Sequence, residues 1–240
     1  MRFPKVHGVI RRRLLVNFRV DPAVLQRQMP SPFRPKLHDG QAIAGVCLIR
    51  LEEIRPKRVP RALGLASENA AHRMAVVWDE NGSLREGVFI PRRDTGSLIS
   101  HLAGGRVFPG EHHRATFDVE EAGDRISLKM RSADGNVEVH VAGRVTSTLP
   151  PGSIFRTVKE ASDFFEPGAV GYSATARGDR LDGVRLKTHT WSVEPLVLEH
   201  AHSSYFDDRR LFPAGSVAFD CALLMRNIGH EWLAAGDMYI

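Results

Sequence analysis

The chain has 240 residues, of which 42% are hydrophobic and 25% charged, and its net charge at pH 7 is +5. This length suits one large domain, and we expect residues 1–240 to form a single domain. No uncharged apolar stretch of about 18 residues exists to span a bilayer, and the basic residues 1–13 lack the apolar segment of a signal peptide. We therefore expect a cytoplasmic protein that does not contact a membrane.

The first third of the chain predicts strands joined by one short helix. Residues 12–20 have strand character, and Asp21 is placed to cap the helix that follows them. The apolar run of residues 41–51 predicts a central strand, in which small residues would let another layer approach closely. Residues 52–65 contain prolines, a glycine and several cations and predict a long loop, after which residues 67–78 resume as a strand.

The next segment contains a short apolar run followed by two adjacent arginines. The apolar run of residues 88–90 predicts a buried strand, and Pro91 should end it because proline cannot donate to a sheet ladder. Asp94 or Thr95 should then cap a short helix with Leu98, Ile99 and Leu102 on one face. The doublet Arg92-Arg93 lies at this joint, and two adjacent cations between a strand and a helix predict an anion-binding site.

The second half of the chain predicts a meander of strands. Residues 125–131 and 136–147 alternate between apolar and polar side chains, as strands with one buried face do. The later elements are a helix at residues 155–165 and strands at residues 184–193, 196–206 and 216–227. About ten strands with three short helices predict a mainly β (α+β) fold, built as an antiparallel β barrel or cone.

Cysteine and histidine usage points to no cofactor. Cys47 and Cys221 lie in apolar surroundings, which predicts two buried, reduced thiols. His200 and His202 would share one face of a strand, but no third ligand at a suitable spacing completes a metal site. We therefore expect neither a metal nor another cofactor.

Several segments resemble the acetoacetate decarboxylase-like superfamily. Arg85-Glu86-Gly87 followed by Pro91-Arg92-Arg93 resembles the segment of acetoacetate decarboxylase in which an Arg-Glu-x-x-Gly-x-Pro pattern leads into two consecutive lysines. The chain as a whole is similar to a sister group, the YqjF-like family of unknown function (domain of unknown function 2071), and this implies the same cone-like β fold. The other segments that carry the resemblance are Asn17-Phe18-Arg19-Val20-Asp21-Pro22, Ser67-Glu68-Asn69 with Arg73, and Ser203-Ser204-Tyr205-Phe206.

The resemblance also implies roles in a substrate cavity. Glu68 matches a glutamate that handles protons in the superfamily, and Asn69 beside it is assigned to ligand binding. The alternative for Glu68 is a salt bridge with a nearby arginine. Arg19 resembles the arginine that binds the substrate carboxylate, but its alternation with Phe18 and Val20 also suits a solvent-facing side chain.

The doublet Arg92-Arg93 stands where the resemblance has lysines. In acetoacetate decarboxylase a lysine forms a Schiff base with a β-keto acid, whereas a guanidinium group stays protonated and cannot form that imine. Both arginines could still clamp a carboxylate in bidentate fashion. Lys187, on a predicted strand, either supplies an amine from another wall or is a surface residue.

These observations favour a protein that binds a small-molecule carboxylate in a β-walled cavity. Arg19, Asn69, Arg92 and Arg93 are the predicted ligand-binding residues, and Glu68 is the predicted proton carrier. The sequence leaves open whether the protein is an enzyme. The alternatives are a non-catalytic binding or sensor protein, a lyase-type enzyme that uses Glu68 or a relocated lysine, and an interaction protein with a packed interior.

Other partners are constrained by charge and sheet edges. The cations are scattered among acids and are not interleaved with aromatic residues, so nucleic-acid binding is not expected. A homo-oligomer would be favoured if sheet edges stay open at the mouth of the cavity.

Overall fold

The structure is a computed structural model that describes residues 5–56, 58–98, 110–176 and 178–240. Its strands are β1 (Val6–Val20), β2 (Arg34–Pro35), β3 (Leu37–His38), β4 (Gln41–Pro56), β5 (Leu65–Glu80), β6 (Ser83–Thr95), β7 (His112–Ala122), β8 (Arg125–Ser132), β9 (Glu138–Val145), β10 (Val170–Ala174), β11 (Arg180–Thr188), β12 (Glu194–Ser203), β13 (Val217–Ala234) and β14 (Met238–Tyr239). Its helices are α1 (Pro22–Gln26), α2 (Val158–Phe165) and α3 (Ser204–Asp207), and Arg61–Leu63 forms a 3-10 turn.

The long strands form one sheet that closes on itself. Strands β6, β5, β4, β1 and β13 are neighbours in that order and make a shared wall. From β13 the sheet returns to β6 by two routes: through β12, β9, β8 and β7 in what we call the wide ring, and through β11 and β10 in what we call the narrow ring. The pairings of β6 with β7 and with β10 are parallel. The predicted mainly β class is confirmed, and its sheet is a closed ring.

Local sequence explains several element boundaries. Asp21 caps α1 as predicted, because its carboxylate accepts a hydrogen bond from the Val24 N–H at 2.9 Å and Pro22 occupies the first turn. Asn81 and Gly82 have positive φ values of 52° and 76°, which fit the tight turn that joins β5 to β6. These short-range signals were readable from the sequence because the groups involved are close along the chain.

Several predicted boundaries are wrong, and two of them illustrate the reason. The loop predicted at residues 52–65 is shorter, because β4 continues to Pro56 and β5 begins at Leu65. The strand predicted at residues 196–206 ends at Ser203, where α3 begins and turns a phenylalanine into the core. In both cases pairing with distant strands and burial in the core, rather than local composition, determine where the element ends.

Pro91 does not end β6, and Asp94 and Thr95, the predicted helix caps, are its last two residues, with Leu98 the first helical residue after them. The register between β5 and β6 shifts between His72 and Met74, so that one residue of β5 lies opposite two of β6. Pro91 falls in this bulge, where the ladder needs no N–H from it. The rest of that predicted helix, residues 99–109, lies outside the described residues.

The hydrophobic interior is divided among three clusters. The largest fills the wide ring with side chains from β1, β4, β5, β8, β9 and β13. A second cluster packs Phe164 and Phe165 of α2 against the shared wall, and a third includes Ile10, Leu51 and Ile228. Of the helices in the described ranges, none is long and apolar enough to cross a membrane.

Gly45 in β4 lies against the backbone of β1. A Cβ atom there would lie 2.2 Å from the Val16 carbonyl oxygen and 3.2 Å from Asn17 Cα. Because central strands cannot move apart cheaply, Gly45→Ala should lower the free energy of unfolding by about 1–3 kcal/mol. Gly152→Ala is the control, since a Cβ there meets no atom within 4 Å, and it should change stability by less than about 0.5 kcal/mol. Denaturant titration measures both, and equal stabilities would contradict the close approach.

Candidate functional site

The narrow ring contains a cavity of about 140 Å³. One water needs about 10–15 Å³, so the cavity has room for a small organic molecule. Part of its wall is apolar and includes Leu51, Ile54, Leu65, Val184, Leu186 and Trp232. The polar part includes Arg13, Cys47, Ser67, Asn69, Arg73 and Arg93, together with Asp94, Ser97 and His112. The cavity therefore combines a hydrocarbon surface with a concentration of positive charge.

Strand register brings three arginines to this wall. Cys47, Ala71 and Arg93 lie opposite one another on β4, β5 and β6. Arg73 follows Ala71 by two residues and therefore projects from the same face of β5. Arg13 reaches the cavity from β1, on the far side of β4. Four neighbouring strands of the shared wall thus contribute the arginines and the cysteine.

Two of these guanidinium groups have few contacts. Arg93 Nε donates a hydrogen bond to Ser173 Oγ of β10 at 2.9 Å. Arg13 Nε donates a weaker one to Cys47 Sγ at 3.4 Å. A guanidinium group carries five N–H donors, so most donors of both side chains remain available to a ligand.

Arg73 is the most deeply placed of the three. Its side chain is almost fully buried, with 4% of the residue exposed, and its guanidinium lies 5.0 Å from the ring of Phe165. Nη2 donates to Asn17 Oδ1, while Nε has no partner among the described residues. Burial lowers the pKa of Arg73 and of Arg93 to about 10, so both stay charged at neutral pH.

Among the described residues these three charges lack an ion-pair partner, because Asp94, the carboxylate that lines the cavity, is paired with Arg92. In the part of the chain that the structure describes, no carboxylate forms an ion pair with Arg13, Arg73 or Arg93. Burying an unpaired charge opposes folding, and departures of this kind are expected at binding sites. The wall is therefore suited to an anion, and a guanidinium fork matches a carboxylate in particular.

Arg92, the other member of the doublet, points to the opposite side of β6 and does not line the cavity. Its Nη2 lies 2.8 Å from Asp94 Oδ1 and 2.9 Å from Asp134 Oδ2. Hydrogen bonds and charge from these two carboxylates outweigh burial and raise the pKa of Arg92. Alternation along β6 thus separates the doublet into a paired arginine and an unpaired one.

Asn69 lines the cavity and Glu68 does not. Thr95 Oγ1 donates to Asn69 Oδ1 at 2.8 Å, and Asn69 Nδ2 donates to Ser67 Oγ at 2.9 Å, so the amide is held in one orientation. Glu68 accepts a hydrogen bond at 2.6 Å from Arg12 Nη2, which is buried. Its geometry is that of the salt-bridge alternative.

Arg19 holds the segment after β9 against β13. Its Nη1 donates to the Gly152 carbonyl oxygen at 2.6 Å, and its Nε lies 3.7 Å from Asp220 Oδ2. It does not line the cavity. The predicted site residues that lie at the cavity are Asn69 and Arg93, and those that form ion pairs elsewhere are Arg19, Glu68 and Arg92.

The other residues that the sequence pointed to are two cysteines and two histidines. Cys47 and Cys221 are buried and form no disulfide, as predicted. His202 Nδ1 lies 2.9 Å from Asp207 Oδ2, beside His200 on β12. Within the described ranges, no group of three or more His, Cys, Asp or Glu residues could hold a metal ion.

The closed ring of strands is the fold of acetoacetate decarboxylase-like proteins. The chain is similar to acetoacetate decarboxylase from Legionella pneumophila, with 12% identity and a TM-score of 0.60 over 98% of this chain and 88% of that one. An acetoacetate decarboxylase-like enzyme from Sphingomonas wittichii RW1 has 14% identity and a TM-score of 0.59 over 99% of this chain and 94% of that one. MppR, an enduracididine biosynthesis enzyme complexed with pyruvate, has 10% identity and a TM-score of 0.62 over 100% of this chain and 91% of that one. At these identities the likeness shows the fold.

The sequence places the chain more narrowly. Residues 9–217 match DUF2071, described as an uncharacterized conserved protein, and the chain belongs to this family. No curated protein matches the chain. The predicted membership is therefore confirmed.

Sequence reasoning did not single out Arg13, Arg73 or Cys47 for the site. The alternation of side chains along the strands contained a signal. Arg13 is two residues from Leu15 and Arg73 is two residues from Ala75, in strands predicted to be central. A cation in register with the buried face of a central strand must enter an interior. The spacing within each strand was visible, whereas the meeting of three such strands was not.

Proposed function

We propose that this protein binds a small organic carboxylate in the cavity of the narrow ring. The ligand would be held by Arg13, Arg73 and Arg93, whose free N–H groups line one wall. The observation that carries this proposal is the set of three guanidinium groups without a carboxylate partner among the described residues. A carboxylate would supply the missing charge and accept hydrogen bonds in the bidentate geometry that arginine favours.

The apolar wall supports a ligand that also has a hydrocarbon part. Leu51, Ile54 and Trp232 line the same cavity as the arginines. Binding sites of this kind combine an apolar surface with a few polar groups that fix orientation. A volume of about 140 Å³ suits a small organic acid rather than a nucleotide.

Binding would not involve a Schiff base. Arg93 occupies one position of the doublet at which the resemblance has lysine, and a guanidinium cannot form an imine. Lys187 is exposed and follows Leu186, which lines the cavity, so its amine projects from the other face of β11. Among the described residues, no lysine lines the cavity.

A 2-oxo acid is the first ligand to test, because MppR, one of the similar structures, is complexed with pyruvate. Pyruvate and longer 2-oxo acids should raise the melting temperature, and their neutral amides should not. At a ligand concentration of 100 times Kd, binding adds about 2.7 kcal/mol of stability, which corresponds to roughly 5–10 °C for a chain of this size. Differential scanning fluorimetry measures the shift.

Substitution of the arginines locates the bound acid. Arg93→Met and Arg73→Met should each abolish the ligand-induced shift, because each removes a cation from the cavity wall. Arg131→Met is the matched control: this arginine is exposed and does not line the cavity, so the variant should keep both the starting melting temperature and the shift. If the wild-type shift persisted in both cavity variants, or if the neutral amides acted equally well, the proposal would fail.

A further inference from the structure

Cys47 lies on the cavity wall among the three arginines. It is 6% exposed and lines the cavity, and Arg13 Nε donates a hydrogen bond to its sulfur at 3.4 Å. Arg73 and Arg93 lie close enough to interact with it electrostatically. Their charges act on the thiol from β1, β5 and β6, the strands around β4.

The cysteine is part of a built site. Arg73 is more than nine-tenths buried, lines the same cavity and leaves its Nε without a hydrogen-bond partner among the described residues. An unpaired cation of this kind draws an anionic molecule to the wall that carries the thiol. The thiolate is the reactive form of cysteine.

Cys221 also interacts electrostatically with Arg73 but lies outside the cavity, and it serves as an internal reference. It is 0% exposed, does not line the cavity, and accepts a hydrogen bond from Asn17 Nδ2 at 3.5 Å. Burial raises the pKa of its thiol. A reagent that reports on the cavity should therefore distinguish the two cysteines within one molecule.

We propose that Cys47 is a nucleophilic thiol that reacts with electrophilic organic acids held by the three arginines. This inference rests on the proposed carboxylate binding. Cys47 Sγ accepts a hydrogen bond from Arg13 Nε at 3.4 Å, so the two terminal nitrogens of the same guanidinium remain to hold the carboxylate beside the sulfur. An acid bound there presents to the sulfur the carbon one or two bonds from its carboxylate. The substrate class is therefore acids that are electrophilic at the α or β carbon.

Two kinds of acid belong to this class, the α-halo acids and the α,β-unsaturated acids. With an α-halo acid, the thiolate forms an S–C bond at the α carbon, the C–halogen bond breaks, and the halide leaves with the electron pair. With an α,β-unsaturated acid, the S–C bond forms at the β carbon, the π electrons move to the α carbon, and this carbon takes a proton from water. In both reactions the thiol proton has gone to solvent beforehand.

Iodoacetate and iodoacetamide test this proposal, since they differ in charge but both carry iodide as the leaving group. Alkylation rates at Cys47 and Cys221 are measured by peptide mass spectrometry, and the iodoacetate-to-iodoacetamide rate ratio is normalised to that of free cysteine. The normalised ratio at Cys47 should be at least about tenfold, in the range over which charge-lined clefts raise on-rates. Cys221 should remain unmodified in the folded protein.

Two variants complete the experiment. Arg93→Met should bring the normalised ratio at Cys47 close to one, and Cys47→Ser should abolish alkylation at this position. A thermal shift together with an unreactive Cys47, or with a ratio like that of free cysteine, would overturn the role of Cys47 and leave carboxylate binding standing. Loss of the thermal shift in the wild-type protein would overturn the proposed function itself.

Discussion

Arg92→Met should destabilise the protein by about 3–5 kcal/mol, because it leaves a buried carboxylate without its partner. Asp94 is 0% exposed, and its nearest hydrogen bonds come from Arg92. Burial raises the pKa of Asp94 even with that arginine beside it. The loss should be smaller at pH 5 than at pH 8, because an unpaired Asp94 with a raised pKa takes up a proton as the pH falls. Denaturant titration at both pH values measures the effect.

An exposed ion pair provides the control. Arg131 Nε lies 3.0 Å from Glu138 Oε1, and 72% of the Arg131 side chain is exposed, so Arg131→Met should cost less than about 1 kcal/mol. Adding Asp94→Asn to Arg92→Met should recover part of the lost stability, since it removes the buried charge. If Arg92→Met cost no more than Arg131→Met, the ion pair would not be the support that its geometry indicates.

The free energy of unfolding should fall steeply as the pH drops below 6.5. Burial, and then Arg92, lower the pKa of His72 from 6.5 to about 3, and burial, followed by Arg13, lowers that of His230 from 6.5 to about 4. Between pH 6.5 and about pH 4, the unfolded chain therefore binds two protons, one on each histidine, that the folded chain does not bind. Each proton contributes about 1.4 kcal/mol per pH unit, which gives a slope of roughly 2.7 kcal/mol per unit between pH 6.5 and 4. Above about pH 6.5 both histidines are neutral in the folded and unfolded chains, so they no longer make the free energy of unfolding depend on pH.

Substituting the two histidines singly separates their contributions. His230→Met and His72→Met should each reduce the slope by about half, whatever they do to stability at neutral pH. His200→Gln is the control, because this histidine is exposed and acts on neither His72 nor His230, and it should leave the slope as in the wild type. Denaturation midpoints in buffers from about pH 4 to pH 8 give the slopes. A wild-type slope in both variants would show that acid sensitivity arises elsewhere.

The predicted site was only partly recoverable from the sequence. Arg93 and Asn69 reach the cavity because Arg93 lies opposite Ala71 of β5 and Asn69, two residues before Ala71, projects from the same face. Glu68 and Arg92 are each one residue from a cavity residue and form ion pairs on the other side of the sheet. A one-residue difference reverses the direction of a strand side chain, and the sequence did not show the bulge at Pro91 that sets this direction in β6.

The amino-acid sequence by itself determined the mainly β class, the family, the cap at Asp21 and the buried, unpaired state of the two cysteines. Each of these depends on groups that are near one another along the chain or on the composition of a single segment. Only the tertiary structure decided that Arg13, Arg73 and Arg93 share one cavity with Cys47. Their meeting depends on the register of four strands, and register is fixed by long-range pairing and burial that no single segment encodes.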